Sequence, residues 1–231
     1  MNSKPIRWVG VGYKDGPSHI PGFLEDYSFL VEALLTLYES SFDSSRLAQA
    51  QQMADEMVEQ FWDPDQAAFF DVAADANELI VRPRSFYDNP IPSGNSAASF
   101  ALLRLQALTG NSRYEEQAIS AFGAARELLV RAPLGFPALL SALDFYLSPQ
   151  FQIAILGNPE EAETERMLRA VFDRYLPNAV VAVGNADEAP LLQGRSRIDG
   201  RPTAFVCQHF ACKLPVTSAQ ELAAQLEELH R

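Results

Sequence analysis

Two polar loops hold the residues of this sequence whose types are suited to chemistry. The first loop, residues 19–27, contains a histidine, His19, and two adjacent carboxylates, Glu25 and Asp26. The second loop, residues 82–96, contains arginine, tyrosine, aspartate, asparagine and serine between prolines. Histidine and carboxylate side chains transfer protons in enzymes, and mixed hydrogen-bonding side chains hold polar ligands. The two loops therefore predict a binding or catalytic site for a polar ligand.

The candidate catalytic residues are Asp26 and His19. Asp26 stands between Leu24 and Tyr27, which belong to the apolar stripe of a predicted helix. Its carboxylate is therefore expected near the core-facing side of that helix, where burial shifts a pKa. His19 precedes Pro21 and is suited to shuttling a proton. The structural alternatives are an acidic residue that complements a helix dipole and a loop histidine bonded to the backbone.

Candidate ligand-binding residues mix hydrogen-bond donors, hydrogen-bond acceptors and aromatic faces. They are Glu25, Tyr27, Arg82, Tyr87, Asp88 and Asn95. A sugar needs such alternating donors and acceptors, and aromatic rings such as those of Trp8, Tyr27 and Tyr87 stack on its faces. These side chains would suit a polyol ligand if the fold brings the two loops together.

Structural alternatives also exist for the residues of the second loop. Arg82 and Arg84 are able to clamp an anion, or to pin the loop by pairing with Asp88 or Asp71. Ser93 is an ordinary N-cap for the helix that follows. Both interpretations stay open on sequence grounds.

The cysteines predict neither a metal centre nor a cofactor site. Cys207, His209 and Cys212 lack a fourth ligand and the two-residue gap between cysteines that is typical of zinc sites. We expect two reduced cysteines packed in the core, and oxidation of the pair at a strand end is the alternative. No cofactor is predicted.

Helical hairpins are expected to position both loops. Apolar residues recur at helical spacing in residues 24–38, 47–61, 96–107, 114–129 and 136–147. The segments Ala33–Leu37 and Ala101–Leu105 are alike and lie 101 − 33 = 68 residues apart, so the first two hairpins form an internal repeat. Residues 68–72 and 79–81 are predicted to pair as a short β ribbon.

The pattern changes near residue 149 to alternating strands and helices. Strands are expected at residues 152–156, 179–183 and 203–207, a helix starting at Asn158 and Pro159, and a last helix capped by Ser218 with Glu221. The predicted fold class is mainly α with a small α/β C-terminal unit. The predicted domains are residues 1–148, which include the ribbon near 68–81, and residues 149–231.

Composition narrows the classes of function. The chain has 231 residues, of which 48% are hydrophobic, so it can fill a core. Eighteen basic and thirty acidic residues give a formal charge of −12, which argues against nucleic acid as a partner. A membrane span needs about 18 consecutive apolar residues, and the sequence has no such run and no signal-like start. We therefore expect a cytoplasmic protein.

Several motifs, occurring in order, resemble the C-terminal part of the spermatogenesis-associated protein 20-like family. They are His19–Tyr27, Val81–Arg84, Pro92–Ser96, Leu140–Tyr146, and Asp199–Cys207 with Cys212. The resemblance runs over nearly the whole chain from about Trp8. Members of this family have a thioredoxin-like domain followed by an α/α toroid similar to those of six-hairpin glycosidases and N-acylglucosamine epimerases. The resemblance implies that residues 1–148 form a partial toroid, followed by a βαβ-containing module.

The function implied by the resemblance is related to that of carbohydrate-active proteins. In such toroids the ligand cavity lies on the axis, ringed by the loops before the inner helices. A sugar-like ligand would bind there and, in an enzyme, would be epimerised or hydrolysed, with Asp26 or His19 moving the proton. The alternative is a non-catalytic scaffold or protein-interaction module.

The resemblance also implies missing parts. The sequence has no Cys-x-x-Cys segment of a thioredoxin-like domain and only about two and a half hairpins of a full toroid. An incomplete toroid would expose an apolar edge. We therefore expect self-association, or a partner that carries the missing half and the thioredoxin-like domain.

Overall fold

The computed structural model describes residues 21–75, 80–208 and 211–228. His19, Trp8 and His209 lie outside these residues, so their predicted roles stay predictions. Within the described residues, no helix is both long and apolar enough to span a bilayer.

Five α-helices lie in the described residues that precede position 148. They are α1 (Leu24–Ser41), α2 (Ser44–Phe61), α3 (Gly94–Thr109), α4 (Ser112–Arg131) and α5 (Pro137–Leu147). Helix α3 packs against α1 on one side and against α5 on the other, while α2 packs on α1 and α4 packs on α3. The helical segments predicted from apolar spacing are confirmed, and consecutive hairpins lie side by side.

The 68-residue repeat extends to the turns inside the hairpins. Phe42 ends α1 with a φ of 56°, and Gly110, 110 − 42 = 68 residues later, ends α3 with a φ of 74°. The next residues, Asp43 and Asn111, cap α2 and α4 by accepting hydrogen bonds from backbone N–H groups two residues ahead. The same left-handed turn and side-chain cap thus start the second helix of each hairpin.

The short ribbon forms between different residues from those predicted. Strand β1 (Trp62–Asp63) pairs antiparallel with β2 (Ala68–Phe69), whereas residues 80–81 are exposed and form no strand. The predicted partner of residues 68–72 was therefore wrong. A tight turn decides the pairing, because the Asp63 carboxylate accepts hydrogen bonds from the N–H groups of Asp65 and Gln66 and closes a short local loop.

A four-stranded mixed sheet follows the helices. Its strands are β3 (Phe151–Leu156), β4 (Ala179–Gly184), β5 (Thr203–Gln208) and β6 (Ala211–Cys212), in the order β4-β3-β5-β6. β3 and β4 are parallel and are joined by α6 (Ala162–Phe172), while β5 runs antiparallel to both β3 and β6. Helix α7 (Ala219–Glu227) comes last. The predicted fold class, mainly α with a small α/β unit, is confirmed.

The two faces of the sheet belong to different layers. Ala154 and Val180 point into the core that is shared with the five helices, whereas Ile153 and Val181 pack under α6 and α7. Alternate residues of each strand therefore enter opposite cores, as the period of a strand requires. The division at residue 149 stays a prediction, although a single core connects the helices and the sheet.

A charged cluster also joins helices and sheet. Glu39 on α1 accepts a hydrogen bond from the Val181 N–H (2.9 Å) and pairs with Arg104 on α3 (2.5 Å). Arg104 also pairs with Glu32 (2.9 Å), and burial raises the pKa of that carboxyl despite the neighbouring guanidinium. The cluster fixes α1, α3 and β4 relative to one another.

The predicted helix starts of the α/β unit have mixed outcomes. Ser218 caps α7 by accepting from the Glu221 N–H, as predicted. Helix α6, however, begins at Ala162 and not at Asn158. The Asn158 side chain accepts from the Glu160 N–H and makes a turn of residues 158–160, so the asparagine does start a local structure but the helix follows later.

Candidate ligand-binding site

A cavity of about 440 Å³ opens where the N-terminal ends of α1 and α3 meet. It is lined by Phe23, Leu24, Glu25, Asp71, Ser85, Tyr87, Asn89, Ile91, Pro92, Ser93 and Gly94. The two helix ends are in direct contact, because a Cβ atom on Gly94 would lie 2.8 Å from the Leu24 side chain and 3.1 Å from the Glu25 backbone nitrogen. Only a residue without a side chain allows this approach.

Two acidic residues line this cavity. Glu25 is exposed in the first turn of α1. Asp71, which follows β2, is half-buried, and its carboxylate accepts a hydrogen bond from the Ser85 N–H at 3.0 Å. Burial raises the pKa of the Asp71 carboxyl, although that hydrogen bond and the charge of Arg84 oppose the shift. A carboxyl with a raised pKa holds a proton more readily at mild pH and is suited to proton transfer.

Sequence reasoning missed Asp71 as a site residue and treated it only as a partner for arginine. Its backbone ties the cavity together, because its carbonyl accepts from the Leu24 N–H (3.0 Å) and its N–H donates to the Pro83 carbonyl (2.8 Å). The available signal was a lone carboxylate inside the apolar run of residues 68–73. Such a group is a candidate for a perturbed pKa.

Tyr87 supplies an aromatic face to the cavity. Its side chain is 47% exposed, and its ring lies 4.5 Å from the ring of Phe136, measured between centroids. A Cβ atom on Gly135 would approach the Tyr87 ring to 2.6 Å, so the absence of a side chain at position 135 makes room for the ring. One side of Tyr87 is thus held by the protein while the other stays open.

Asp26 and Tyr27 have partners away from the cavity. The Asp26 carboxylate accepts a hydrogen bond from the Phe23 N–H (2.8 Å), which satisfies a free donor at the start of α1. Tyr27 is buried, its hydroxyl donates to the Glu56 carboxylate (2.9 Å), and its ring packs on Phe61. Neither residue lines the cavity.

The two arginines pin the second loop through partners other than those expected. Arg82 donates to the carbonyls of Val72 (2.7 Å) and Gln60 (3.1 Å), and Arg84 pairs with Asp63 (2.6 Å). Both guanidinium groups lie over the ring of Phe70. The predicted pairing with Asp88 or Asp71 was therefore wrong, and the carboxylates of those two residues accept hydrogen bonds from backbone N–H groups instead.

Asp88 and Asn95 hold the walls of the cavity. The Asp88 carboxylate accepts from the N–H groups of Ser93 and Ala138, both at 2.8 Å, and so joins the starts of α3 and α5. Asn95 is fully buried. Its side chain accepts from the Phe69 N–H (2.9 Å) and donates to the carbonyls of Phe69 and Ser85 (3.0 Å each). The side chains of both residues are engaged within the protein.

The structure thus sorts the predicted site residues into two groups. Glu25 and Tyr87 line the cavity, together with Asp71. Arg82, Asp88 and Asn95 support it through internal hydrogen bonds, whereas Asp26 and Tyr27 stabilise α1 and its contact with α2. Ligand binding by any of these residues stays a prediction. Over the described part of the chain, no group of three or more histidine, cysteine, aspartate or glutamate side chains is placed to hold a metal ion.

The cysteines differ from the expectation. Cys207 and Cys212 form a disulfide bond, so the prediction of two reduced packing cysteines was wrong and the alternative, oxidation of the pair at a strand end, is confirmed. The two residues face each other across the antiparallel pair β5–β6, and this register brings their side chains together. The sequence spacing alone did not reveal the hairpin.

Comparison with known proteins identifies relatives of the chain. It is 33% identical to spermatogenesis-associated protein 20 of Rattus norvegicus over 97% of its own length and 30% of the relative. It is 32% identical to the protein of the same name from Homo sapiens, over 87% of this chain and 27% of the relative. No model of a known protein family matches.

The chain therefore spans about 30% of the length of the curated relatives it matches. The similarity covers both the helical hairpins and the α/β unit, since 97% of the chain is aligned with the rat protein. The family resemblance expected from the motifs is confirmed: over most of its length, this chain is a partial homologue of the proteins named spermatogenesis-associated protein 20.

Proposed function

We propose that this chain is the C-terminal part of an α/α-toroid protein related to carbohydrate-active enzymes, and that it binds a sugar-like ligand in the cavity between α1 and α3. The observation that carries the proposal is the cavity itself, in which Tyr87 presents an open ring beside the carboxylates of Glu25 and Asp71. Carboxylates accept hydrogen bonds from sugar hydroxyls, and an aromatic ring stacks on the apolar face of a pyranose. Charge supports a neutral ligand, because two carboxylates repel an anion.

The cavity also suggests how a catalytic version would work. Asp71 takes the proton-transfer role that sequence reasoning gave to Asp26, because the Asp26 carboxylate already accepts from the Phe23 N–H. Burial raises the pKa of Asp71, so the group is able both to take and to return a proton near the ligand. Epimerisation or hydrolysis is the reaction class that the family resemblance favours.

Binding is tested by measuring the melting temperature with a panel of neutral sugars, including N-acetylated hexosamines. A ligand present at 100 times its Kd stabilises a protein by about 2.7 kcal/mol, so a shift of several degrees is expected. Tyr87→Ala and Glu25→Gln are expected to abolish the shift. Glu115→Gln is the matched control, because Glu115 also lies in a first helical turn but away from the cavity.

The binding proposal is overturned if no sugar raises the melting temperature, or if Tyr87→Ala responds as the unaltered protein does. Catalysis is tested separately by following the bound sugar by NMR. The expected result is turnover that Asp71→Asn abolishes while binding persists.

A non-catalytic scaffold is the second candidate. It is favoured by the internal engagement of Arg82, Asp88 and Asn95, which braces the loop without a ligand. Val130, Leu134 and Leu147 are exposed near the ends of α4 and α5 and offer apolar contacts to a further helical hairpin. On this proposal the chain self-associates or docks onto the missing half of the protein.

The docking surface is tested by measuring the mass of the chain in solution. Association that Leu134→Lys abolishes is expected, because Leu134 is 97% exposed. Leu214→Lys is the control, since Leu214 is also an exposed leucine, at 84%, but lies in the α/β unit. A monomer at all concentrations, or equal loss in both variants, contradicts self-association through this surface.

A further inference from the structure

The disulfide Cys207–Cys212 lies at the edge of the sheet with its two sulfur atoms in different surroundings. Cys207, on β5, is 2% exposed, whereas Cys212, on the edge strand β6, is exposed to solvent. Thiol–disulfide exchange requires an attacking thiolate to reach one sulfur atom of the bond. Only the Cys212 sulfur meets that requirement here.

A guanidinium group stands beside both sulfur atoms. Arg195 Nη2 lies 3.5 Å from Cys207 Sγ and 3.9 Å from Cys212 Sγ. The side chain is held by a hydrogen bond to the Leu191 carbonyl and lies 5.7 Å from the centroid of the Phe205 ring. The cation is therefore fixed in place next to the bond rather than swinging in solvent.

The charge of Arg195 has no acidic partner among the described residues. Its pKa is lowered by burial, and no neighbouring carboxylate opposes that effect. A neutral disulfide gives little compensation for a half-buried cation, since sulfur in this form is a weak acceptor. A thiolate at the same position would be a much better partner, because a cation next to a cysteine stabilises the ionised form.

We propose that Cys207–Cys212 is a redox-active disulfide that exchanges with a dithiol reductant, and that Arg195 stabilises the Cys207 thiolate as the leaving group. A thiolate of the reductant attacks Cys212 Sγ, the Sγ–Sγ bond breaks, and its electron pair leaves on Cys207 Sγ. The second thiolate of the reductant then attacks the reductant sulfur atom that is bonded to Cys212 Sγ. This step closes the disulfide of the reductant and releases Cys212. The protein gains two electrons and two protons, and the dithiol becomes a disulfide.

This exchange is reversible and its structural effect is local. The disulfide bond joins β5 to the short edge strand β6 (Ala211–Cys212). Reduction removes that covalent link while the pairing of Ala204 with Val216 continues to hold the following segment. The reduced and oxidised forms thus share the core of the sheet and differ at its edge.

The rate and equilibrium of reduction test the role of Arg195. The full chain is treated with dithiothreitol, and free thiols are alkylated and counted by mass spectrometry. Arg195→Gln is expected to slow reduction roughly fivefold and to shift the equilibrium about tenfold toward the disulfide, because the leaving thiolate loses its cation. Arg197→Gln is the matched control, since Arg197 pairs with Glu161 and contacts neither sulfur.

Arg195→Lys keeps the proposal testable if Arg195→Gln does not fold. Lysine retains the positive charge, so reduction is expected to stay within about twofold of the unaltered protein. The proposal is overturned if the folded protein resists dithiothreitol until it melts, or if the disulfide does not re-form with oxidised dithiothreitol. It is also overturned if a folded Arg195→Gln variant, with the circular dichroism of the unaltered protein, is reduced at the same rate.

The direction of attack has its own test. In Cys207→Ala the remaining Cys212 thiol is exposed and is expected to form a mixed disulfide with oxidised glutathione. In Cys212→Ala the remaining Cys207 thiol is buried and is expected to react at least tenfold more slowly. Equal rates in the two variants would contradict attack at Cys212.

Discussion

The first turns of α1 and α3 occupy equivalent positions of the repeat and do different work. In each first turn, a fully buried serine forms a hydrogen bond with the residue three positions earlier. Ser28 donates to the Glu25 carbonyl. Ser96, 96 − 28 = 68 residues later, shares a hydrogen bond with the Ser93 hydroxyl. The neighbouring positions have diverged. Where α1 has Asp26 and Tyr27, α3 has Gly94 and Asn95.

This difference explains where the cavity comes from. Asp26 and Tyr27 serve α1 itself and its contact with α2. Gly94 lets α3 approach α1, and Asn95 holds the loop and the ribbon that enclose the space. A repeated helical frame therefore becomes a candidate site through a few departures from the repeat, and removing those departures should damage one hairpin more than the other.

The largest effect is expected from Arg104, which stands where the first hairpin has Thr36 (104 − 36 = 68). Arg104→Leu leaves the partly buried carboxylates of Glu32 and Glu39 without their cation, and the free energy of unfolding should fall by about 3 kcal/mol. Denaturant unfolding measures this loss. Arg131→Leu removes an exposed pair with Glu127 and should cost less than about 0.5 kcal/mol. Equal effects would mean that the cluster does not couple helices to sheet.

Asn95→Ala is expected to lower the free energy of unfolding by about 2–3 kcal/mol, because the buried Phe69 N–H loses its acceptor and the carbonyls of Phe69 and Ser85 each lose a donor. Asn111→Ala, which removes the ordinary cap of α4, should cost about 1 kcal/mol. Hydrogen exchange provides a second measurement. The Phe69 N–H should lose protection in the Asn95 variant alone, and its continued protection would contradict the bracing role.

Two glycine substitutions of opposite sign test the contact between the helix ends. Gly94→Ala forces a methyl group against Leu24 and the Glu25 nitrogen and should destabilise the protein by about 2 kcal/mol. Gly123→Ala lies in α4 with open space around the new methyl group and should stabilise it by about 0.5–1 kcal/mol. Melting curves of both variants give the signs. A neutral Gly94→Ala would show that α1 and α3 can separate without cost.

The smallest effect concerns the pH dependence of stability. Burial raises the pKa of Asp71 above its usual value of 3.8, so its contribution is present below that pH and is lost as the pH rises through the raised pKa. The free energy of unfolding should therefore decline as the pH rises through the raised pKa of Asp71, and Asp71→Asn should remove this decline. Urea unfolding from pH 3 to pH 7 measures the profile.

Glu221 provides a control of opposite sign for that profile. The hydrogen bond from Ser218 lowers the pKa of Glu221 below its usual value of 4.5, so its contribution is present above that pH and is lost as the pH falls. The free energy of unfolding should therefore decline as the pH falls through the lowered pKa of Glu221, and Glu221→Gln should remove this decline. If Asp71→Asn changes the profile in the same direction, the half-buried state of Asp71 is contradicted.

Sequence patterns were sufficient for the regular elements. Apolar spacing located the five helices of the hairpins, and the offset of 68 residues predicted their equivalence. Alternating strand and helix patterns predicted the α/β unit, and ordered motifs indicated the family. These features depend on local periodicity and on side chains close in sequence, which the linear chain contains in full.

Prediction of the site was only partial for a physical reason. The polar residues of the two loops were recognised, but the sequence did not show which ones face the cavity and which ones face the protein. Asp71 was missed, and Arg82 and Arg84 were assigned the wrong partners. A hydrogen bond from Arg84 to the Asp63 carboxylate or from Asn95 to the Phe69 carbonyl joins residues more than twenty positions apart, and no local pattern encodes it.

What the sequence by itself determined was the helical repeat, the mainly α fold with its small α/β unit, and the family. The tertiary structure alone decided the approach of α1 and α3 at Gly94, the burial of Asp71, and the pairing of Cys207 with Cys212 beside Arg195. Periodicity reports which face of an element is buried. The neighbours of that face, which set pKa values, hydrogen bonds and covalent links, arise only when distant segments pack together.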